Sequence, residues 1–241
     1  ACTAVFLFLV RGLIKMGSFS RLLFTATSII MLLSWGSLPA RAAWDIATVD
    51  SIGDTGEYCS LAIDNSGNPH ISYYSWSFAC LRHAYYDGTW HIETVDNVGD
   101  TGWHTSIALD SSGNPRISYY DVTNKDLKYA YFDGTWHTET VDSTGDVGHY
   151  TSLRLDSSNN PHISYYDKTN GDLKYARYDG SWHTETVDST DNVGQYTSLA
   201  LDAGDNPHIS YFYMTAYDLK YAYFDGTWHI ETADSGGLNG L

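Results

Sequence analysis

Trp44, Trp90, Trp136, Trp182 and Trp228 stand 46 residues apart, and no insertion or deletion breaks the series. Between them one pattern recurs: W-H-T-E-T-V-D, a Gly/Asp loop, Y-T-S-L-A-L-D, S-S-G-N-P, H-I-S-Y-Y-D, x-T-N-x-D and L-K-Y-A-Y-F-D-G-T. Strict self-similarity at a fixed period marks a repeat architecture, in which each unit buries its faces by stacking on its neighbours. Periods near this length belong to all-β propeller blades or to all-helical HEAT and armadillo units.

Local chemistry separates the two. The runs are short, rich in Tyr, Thr, Ile, Val and Trp, and bounded by Gly, Asn, Asp and Pro, which are strand signals. S-L-A-L-D and L-K-Y-A-Y alternate large with small or polar residues, the period of a strand, and no stretch shows helical spacing. Asp87-Gly88, Asp133-Gly134, Asp179-Gly180 and Asp225-Gly226 supply the positive φ that tight hairpins need. Ser66–Pro69 and Ser112–Pro115 make the other hairpin, with Pro at a strand's first residue, where a missing N–H is tolerated. Each unit therefore reads as four antiparallel strands, for example Thr105–Asp110, Arg116–Asp121, Leu127–Asp133 and Trp136–Asp142. Four strands at this period is a propeller blade.

The expected fold is all-β: four complete blades near 58–96, 103–142, 150–188 and 196–234, preceded by one extra strand over 44–50. Because the last blade already owns its fourth strand, the extra strand suggests a part of a larger ring. A four-bladed ring, or closure by oligomerisation, is the alternative.

The first 43 residues carry four bases (Arg11, Lys15, Arg21, Arg41) and no acid, while the rest carry 9 basic against 29 acidic residues. Nucleic acid and anionic membranes are thereby excluded as partners, because both need clustered Lys/Arg. Residues 1–15 read as an upstream segment. From Met16 a short region with Arg21 leads into an apolar stretch and then Ala40-Arg41-Ala42, the order of a secretory signal peptide over 16–42, with an uncleaved anchor as the alternative. The expected location is extracellular or at the cell surface, with the propeller over 43–241. Cys59 and Cys80 both fall in the first blade; an oxidising compartment admits one disulfide between them, and the alternative is two free thiols.

The order from Ile163 to Asp188, I-S-Y-Y-D-K-T-N-G-D-L-K-Y-A-R-Y-D-G-S-W-H-T-E-T-V-D, resembles the blades of fucose-binding propeller lectins. The likeness runs through all four blades. It implies sugar sites between neighbouring blades, which in that family use an Arg on the second strand, a Glu on the third and an aromatic wall. Those positions map onto Ser72, Ser118, Ser164 and Ser210 and onto His83, Tyr129, Tyr175 and Tyr221, so both charged ligands are replaced. The wall survives as Trp90, Trp136, Trp182 and Trp228. The resemblance thus implies the inter-blade architecture without fucose specificity. A weaker similarity is to the Asp-box of sialidase-like propellers, but D-G-T-W and D-G-S-W are too short for the box, and Arg82, Arg116, Arg154 and Arg177 lie at unmatched offsets.

The expected ligand-binding set is Ser118, Ser164, Ser210, Tyr129, Tyr175, Tyr221, Trp90, Trp136, Trp182 and Trp228. The bland reading of the Trp series is packing between blades. Glu93, Glu139, Glu185 and Glu231 read as a solvated outer face. His70, His162 and His208, with Arg116 in the second copy, read as turn or groove-lining residues, one per blade and too dispersed for a metal site. The loops Asp50–Gly56, Asp96–Gly102 and Asp142–Gly148 could bind Ca²⁺ but lack the bidentate Glu of an EF-hand, so plain turns are favoured and no cofactor is expected. The leading expectation is non-catalytic recognition of glycans or surface proteins, oligomeric or not. A scaffold without a sugar site comes second and a sialidase-like hydrolase third.

Overall fold

The computed structural model describes residues 46–235. Sixteen strands form four sheets, each a simple antiparallel meander. The first blade is β1 (Thr55–Ile63), β2 (Pro69–Ser75), β3 (Cys80–Tyr86) and β4 (Trp90–Asp96). The second is β5 (Thr101–Leu109), β6 (Pro115–Asp121), β7 (Asp126–Phe132) and β8 (Trp136–Asp142). The third is β9 (Val147–Leu155), β10 (Pro161–Asp167), β11 (Asp172–Tyr178) and β12 (Trp182–Asp188). The fourth is β13 (Val193–Leu201), β14 (Pro207–Tyr213), β15 (Asp218–Phe224) and β16 (Trp228–Asp234). Each first strand begins a few residues before the sequence-expected start. Register shifts at Tyr58, His104, Tyr150 and Tyr196, all at φ of 51–54°, mark β-bulges through which pairing continues. Residues 46–50 of the expected extra strand lie outside the sheets, and Trp44 and the signal segment 16–42 lie outside the described residues.

Blades stack through their first strands, and three devices repeat at each junction. Leu127, Val147, Leu153, Ile163 and Tyr165 form one of the apolar clusters that span adjacent blades. Small polar groups form a second seam: Ser72 bonds Thr105 at 2.6 Å, Ser118 bonds Thr151 at 2.8 Å and Ser164 bonds Thr197 at 2.5 Å. The third device is charged. The Asp that ends a fourth strand accepts from a Tyr and a Lys of the next blade: Asp96 from Tyr119 and Lys128, Asp142 from Tyr165 and Lys174, and Asp188 from Tyr211 and Lys220. Asp50 does the same for Tyr73 and Arg82. The first Asp of each D-x-x-G-D-x-G loop is therefore committed to a neighbouring blade, and no group of three or more metal-ligating side chains occurs among the described residues.

The last Gly of those loops is required by close approach. Gly102, Gly148 and Gly194 sit at φ of 100–110°, and a Cβ on each would lie 2.7–2.8 Å from the Cα of Leu81, Leu127 or Leu173 in the preceding blade. At Gly56 the same Cβ would meet nothing, because the leading face of the first blade has no neighbour among the described residues. Leu61 on that face is 60% exposed, whereas its counterparts Ile107, Leu153 and Leu199 are at 5% or less. Leu219 on the far face of the fourth blade is 43% exposed, against 0% for Leu81, Leu127 and Leu173. The described blades thus form a β-propeller arc with two open end faces.

The expected alternative of a Cys59–Cys80 disulfide is corrected: both thiols are free, Cys59 exposed and Cys80 buried. They lie on β1 and β3 with β2 between them, so two inter-strand spacings of about 4.8 Å separate the backbones. That exceeds the roughly 7 Å limit on Cα separation for a disulfide.

Candidate inter-blade binding sites

Each junction between consecutive blades leaves a cavity near the outer strands. They measure about 260, 200 and 150 Å³ for blades one–two, two–three and three–four. These are small compared with the ~300–1,000 Å³ of drug-sized sites, which suits a single compact polar unit.

The middle cavity shows how the sequence builds them. Its floor is drawn from two adjacent cross-strand rows on the second blade, Ser118, Tyr129 and Glu139 in one and Arg116, Tyr131 and His137 in the other, of which Arg116, Tyr129, Tyr131 and Glu139 reach the cavity. Residues two apart on a strand share a face, so both rows point toward the third blade. Near the β9 strand the gap is closed, and Ser118 is fully buried against Thr151. Farther out the gap opens, and Arg116, Tyr129, Tyr131 and Glu139 line it opposite Asn160, Pro161, Tyr178 and Trp182.

The polar groups are held in place by partners. Arg116 donates to Asp110 at 2.8 Å and lies over the Tyr131 ring at 5.4 Å. The Trp182 indole donates to Glu139 at 3.0 Å and meets the Tyr129 ring edge-on at 5.3 Å. Burial pushes the Tyr129 phenol well above its ordinary pKa, so it stays a neutral hydrogen-bonding group. A carboxylate, a guanidinium, a phenol and an indole thus converge on one small opening.

The other two cavities repeat this plan with substitutions. In the first, His70 replaces Arg116 and His83 replaces Tyr129, with Tyr85, Glu93, Asn114, Pro115 and Phe132 completing the lining. Trp136 donates to Glu93 at 3.0 Å and packs edge-on against His83 at 5.4 Å. Hydrogen bonds from His83 and then Trp136 hold the Glu93 carboxyl below its ordinary range against the opposing effect of burial. In the third, His162, Tyr175, Arg177 and Glu185 face Asp205, Asn206, Pro207 and Trp228. Arg177 there is tied to Asp179 at 2.5 Å, and the buried Trp228 Nε1 has no partner.

These placements correct part of the sequence-expected set. Ser118 and Ser164 are fully buried in the blade-to-blade seam and touch no cavity. Ser210 holds the same position on the open face of the fourth blade and is half-buried there. Tyr129, Tyr175, Trp182 and Trp228 do line cavities, and Trp136 contacts the first one through Glu93 and His83. Tyr221, paired with His208 at 2.5 Å, and Trp90, edge-on to Tyr86, sit on the end blades, outside these three cavities. The charged residues that line these cavities outside the expected set are Arg116, Arg177, Glu93, Glu139 and Glu185. Glu93 and Glu139 are bound to the next blade's indole and not simply solvated. The His that follows each Trp braces its own hairpin, and His91, His137, His183 and His229 each reach back 2.8–2.9 Å to the Asp of that turn.

No family model matches the chain, and no curated protein is similar to it at a significant level. Among solved structures it is similar to the fucose-specific lectin from Aleuria aurantia, with a TM-score of 0.53 and 16% identity over 76% of this chain and 63% of that one. It is also similar to an exo-β-1,3-galactanase from Phanerochaete chrysosporium, with a TM-score of 0.53 and 10% identity over 80% of this chain and 52% of that one. A fainter likeness, TM-score 0.44 at 14% identity, is to the NanB sialidase of Streptococcus pneumoniae, over 63% of this chain and 26% of that one. The chain therefore spans less than two thirds of the length of each of these structures. At such identities the likeness establishes the fold, a β-propeller.

Proposed function

We propose that the protein is a lectin, exported from the cell, that holds sugar residues between its blades without cleaving them. The observation that carries this reading is the threefold recurrence of one pocket plan: a Glu, a basic residue at the start of the second strand, and a Tyr or His floor against a neighbouring Asn-Pro turn. Paired donors and acceptors beside aromatic rings match a sugar, which offers hydroxyls on its edge and C–H groups on its faces. Repetition on a rigid scaffold supports avidity from individually weak sites. Propeller likeness to a fucose-specific lectin is consistent with this reading, and the same fold also carries a galactanase among its relatives. Against hydrolysis stands the state of Glu93, held ionised by its donors, whereas a general acid needs a raised pKa. Export rests on the apolar and Ala-x-Ala pattern of residues 16–42.

A glycan array tests the reading. The wild-type chain is expected to bind, and Arg116→Ala and Trp182→Phe to weaken binding at least ~10-fold in samples that circular dichroism shows to be folded. A folded sample that binds no glycan overturns it in favour of a protein-binding scaffold. Turnover of a chromogenic glycoside overturns the non-catalytic part.

A further inference from the structure

The first cavity differs from the other two in one respect that concerns protons. His70 Nδ1 lies 3.1 Å from His83 Nε2, and His83 Nδ1 lies 3.2 Å from Glu93 Oε2. At the equivalent places the second blade has Arg116 and Tyr129, and the third has His162 bonded to Tyr175, with no imidazole in contact with the Glu.

The direction of every bond in the chain follows from its anchored end. Glu93 already accepts from the Trp136 indole and stays ionised, so it can only accept from His83. His83 Nδ1 must then carry a hydrogen. In a neutral imidazole that leaves His83 Nε2 a lone pair, which must accept from His70 Nδ1. His70 Nε2 is consequently an acceptor, and it makes no hydrogen bond to another side chain among the described residues. Now add one proton. If it resides on His70, both ring nitrogens of His70 are donors. If it resides on His83, then His83 Nε2–H donates to His70 Nδ1, and His70 must carry its hydrogen on Nε2. Both distributions turn the free nitrogen from acceptor to donor.

We propose that the cavity between the first and second blades is a proton-switched sugar site. Near neutrality it offers an acceptor at His70 Nε2 and selects a ligand hydroxyl donor; on uptake of one proton it offers an N–H donor on a cationic imidazole pair and selects a ligand oxygen acceptor, a sugar carboxylate best of all. The sugar-binding part rests on the lectin reading above; the switch itself does not. The groups facing His70 are His83 and the stacked Tyr85 ring on β3, Glu93 on β4 and Asp64 in the preceding hairpin, with Asn114, Pro115 and Phe132 opposite. Burial and then the neighbouring His83 hold the His70 pKa below its ordinary value, with Asp64 and Glu93 opposing. Protonation of the His70 ring itself is therefore displaced to lower pH than that of a free imidazole. The middle site, with its permanent Arg116, has no such transition.

The test is a ¹⁵N imidazole NMR titration of the full chain from pH 8 to 4, beside His83→Tyr, which installs the residue of the other blades. The expected result is His83 Nδ1 protonated throughout, with His70 Nε2 gaining its hydrogen in a step coupled to the His83 ring. In His83→Tyr the His70 step moves and loses its coupling. A His83 Nδ1 that is unprotonated at pH 8, or two rings that titrate independently, overturns the switch. A glycan array at pH 7.5 and 5.0 reads the consequence: acidic glycans gain about 10-fold or more at pH 5.0 in the wild type and not in His70→Gln, which removes the switched nitrogen. Equal gains in both proteins overturn the assignment of selectivity to this site. No glycan at either pH, with the NMR step intact, overturns only the lectin reading.

Discussion

Replacing Lys174 by Met is expected to loosen the junction between the second and third blades more than any single surface change. The Lys174 ammonium lies 2.5 Å from Asp142, whose side chain is 3% exposed, and Tyr165 donates to the same oxygen at 2.7 Å. Burial alone would raise the Asp142 pKa; the bonds from Lys174 and Tyr165 outweigh it and hold the carboxyl below its ordinary value. Removing the cation while the methylene stem stays leaves a buried carboxylate without its counter-charge, which costs about 3–5 kcal/mol. For a unit of this size that is a fall of about 6–20 °C in Tm. Lys174→Met combined with Asp142→Asn removes both charges and is expected to recover part of the loss, whereas each single change is severe. The pH dependence follows from the sign of the shift. A carboxyl whose folded pKa is depressed stabilises the fold fully above its unfolded value, near 3.9, and loses that contribution as pH falls through the folded pKa. The gap between wild type and Lys174→Met is therefore widest near neutrality and narrows below about pH 4. Thermal unfolding followed by circular dichroism at pH 7 and pH 3.5 checks both statements. Additive losses in the double variant, or a gap that widens in acid, would refute the reasoning.

Two further outcomes follow from contrasts within the repeat. Gly148→Ala and Gly56→Ala impose the same positive-φ strain, but only the first drives a Cβ into Leu127 of the preceding blade. Gly148→Ala is expected to cost roughly 1–3 kcal/mol more than Gly56→Ala, measured by urea unfolding; equal costs would contradict the packing account. Iodoacetamide is expected to modify Cys59 in the native protein and Cys80 only after unfolding, since burial raises the Cys80 pKa and shields the sulfur. Peptide mapping reads the labelled sites, and a Cys59–Cys80 cross-link under oxidising conditions would contradict the strand order.

The blade was legible because its information is local and repeated. Asp-Gly and Asn-Pro punctuation, β-branched and aromatic runs and an unbroken 46-residue spacing each define one strand or turn, and every further copy confirms it. The strand starts were less legible. A bulge at Tyr58, His104, Tyr150 and Tyr196 continues the ladder past a residue with positive φ, a conformation that Tyr and His do not announce. The acidity also has a local meaning. Asp96, Asp142 and Asp188 face a Lys and a Tyr of the next blade, while Asp87, Asp133, Asp179 and Asp225 hold the His of their own hairpin.

The pockets were legible only in part, because they belong to no single blade. Arg116 and Ser118 share one face of β6, so strand periodicity ranks them equally. What separates them is depth against the neighbour: Ser118 meets Thr151 where the blades touch, and Arg116 lies where the Asn160-Pro161 turn leaves a gap. Glu93 and Glu139 depart from the solvated reading for the same reason, whereas Glu185 and Glu231 are exposed as it expects. A Glu flanked by Thr on an outermost strand looks solvated until the indole of the next blade is seen to reach it. A regular Trp with a polar edge is the available signal, since a half-buried indole N–H needs an acceptor, and for Trp136 and Trp182 it is the Glu on the fourth strand of the preceding blade. Sequence alone poses the Trp series as a choice between core and ligand wall. The geometry joins the two at the first two junctions: Trp136 and Trp182 seal them and also fix the carboxylate of Glu93 or Glu139 at the cavity beside them, whereas Trp228 at the third makes no such bond.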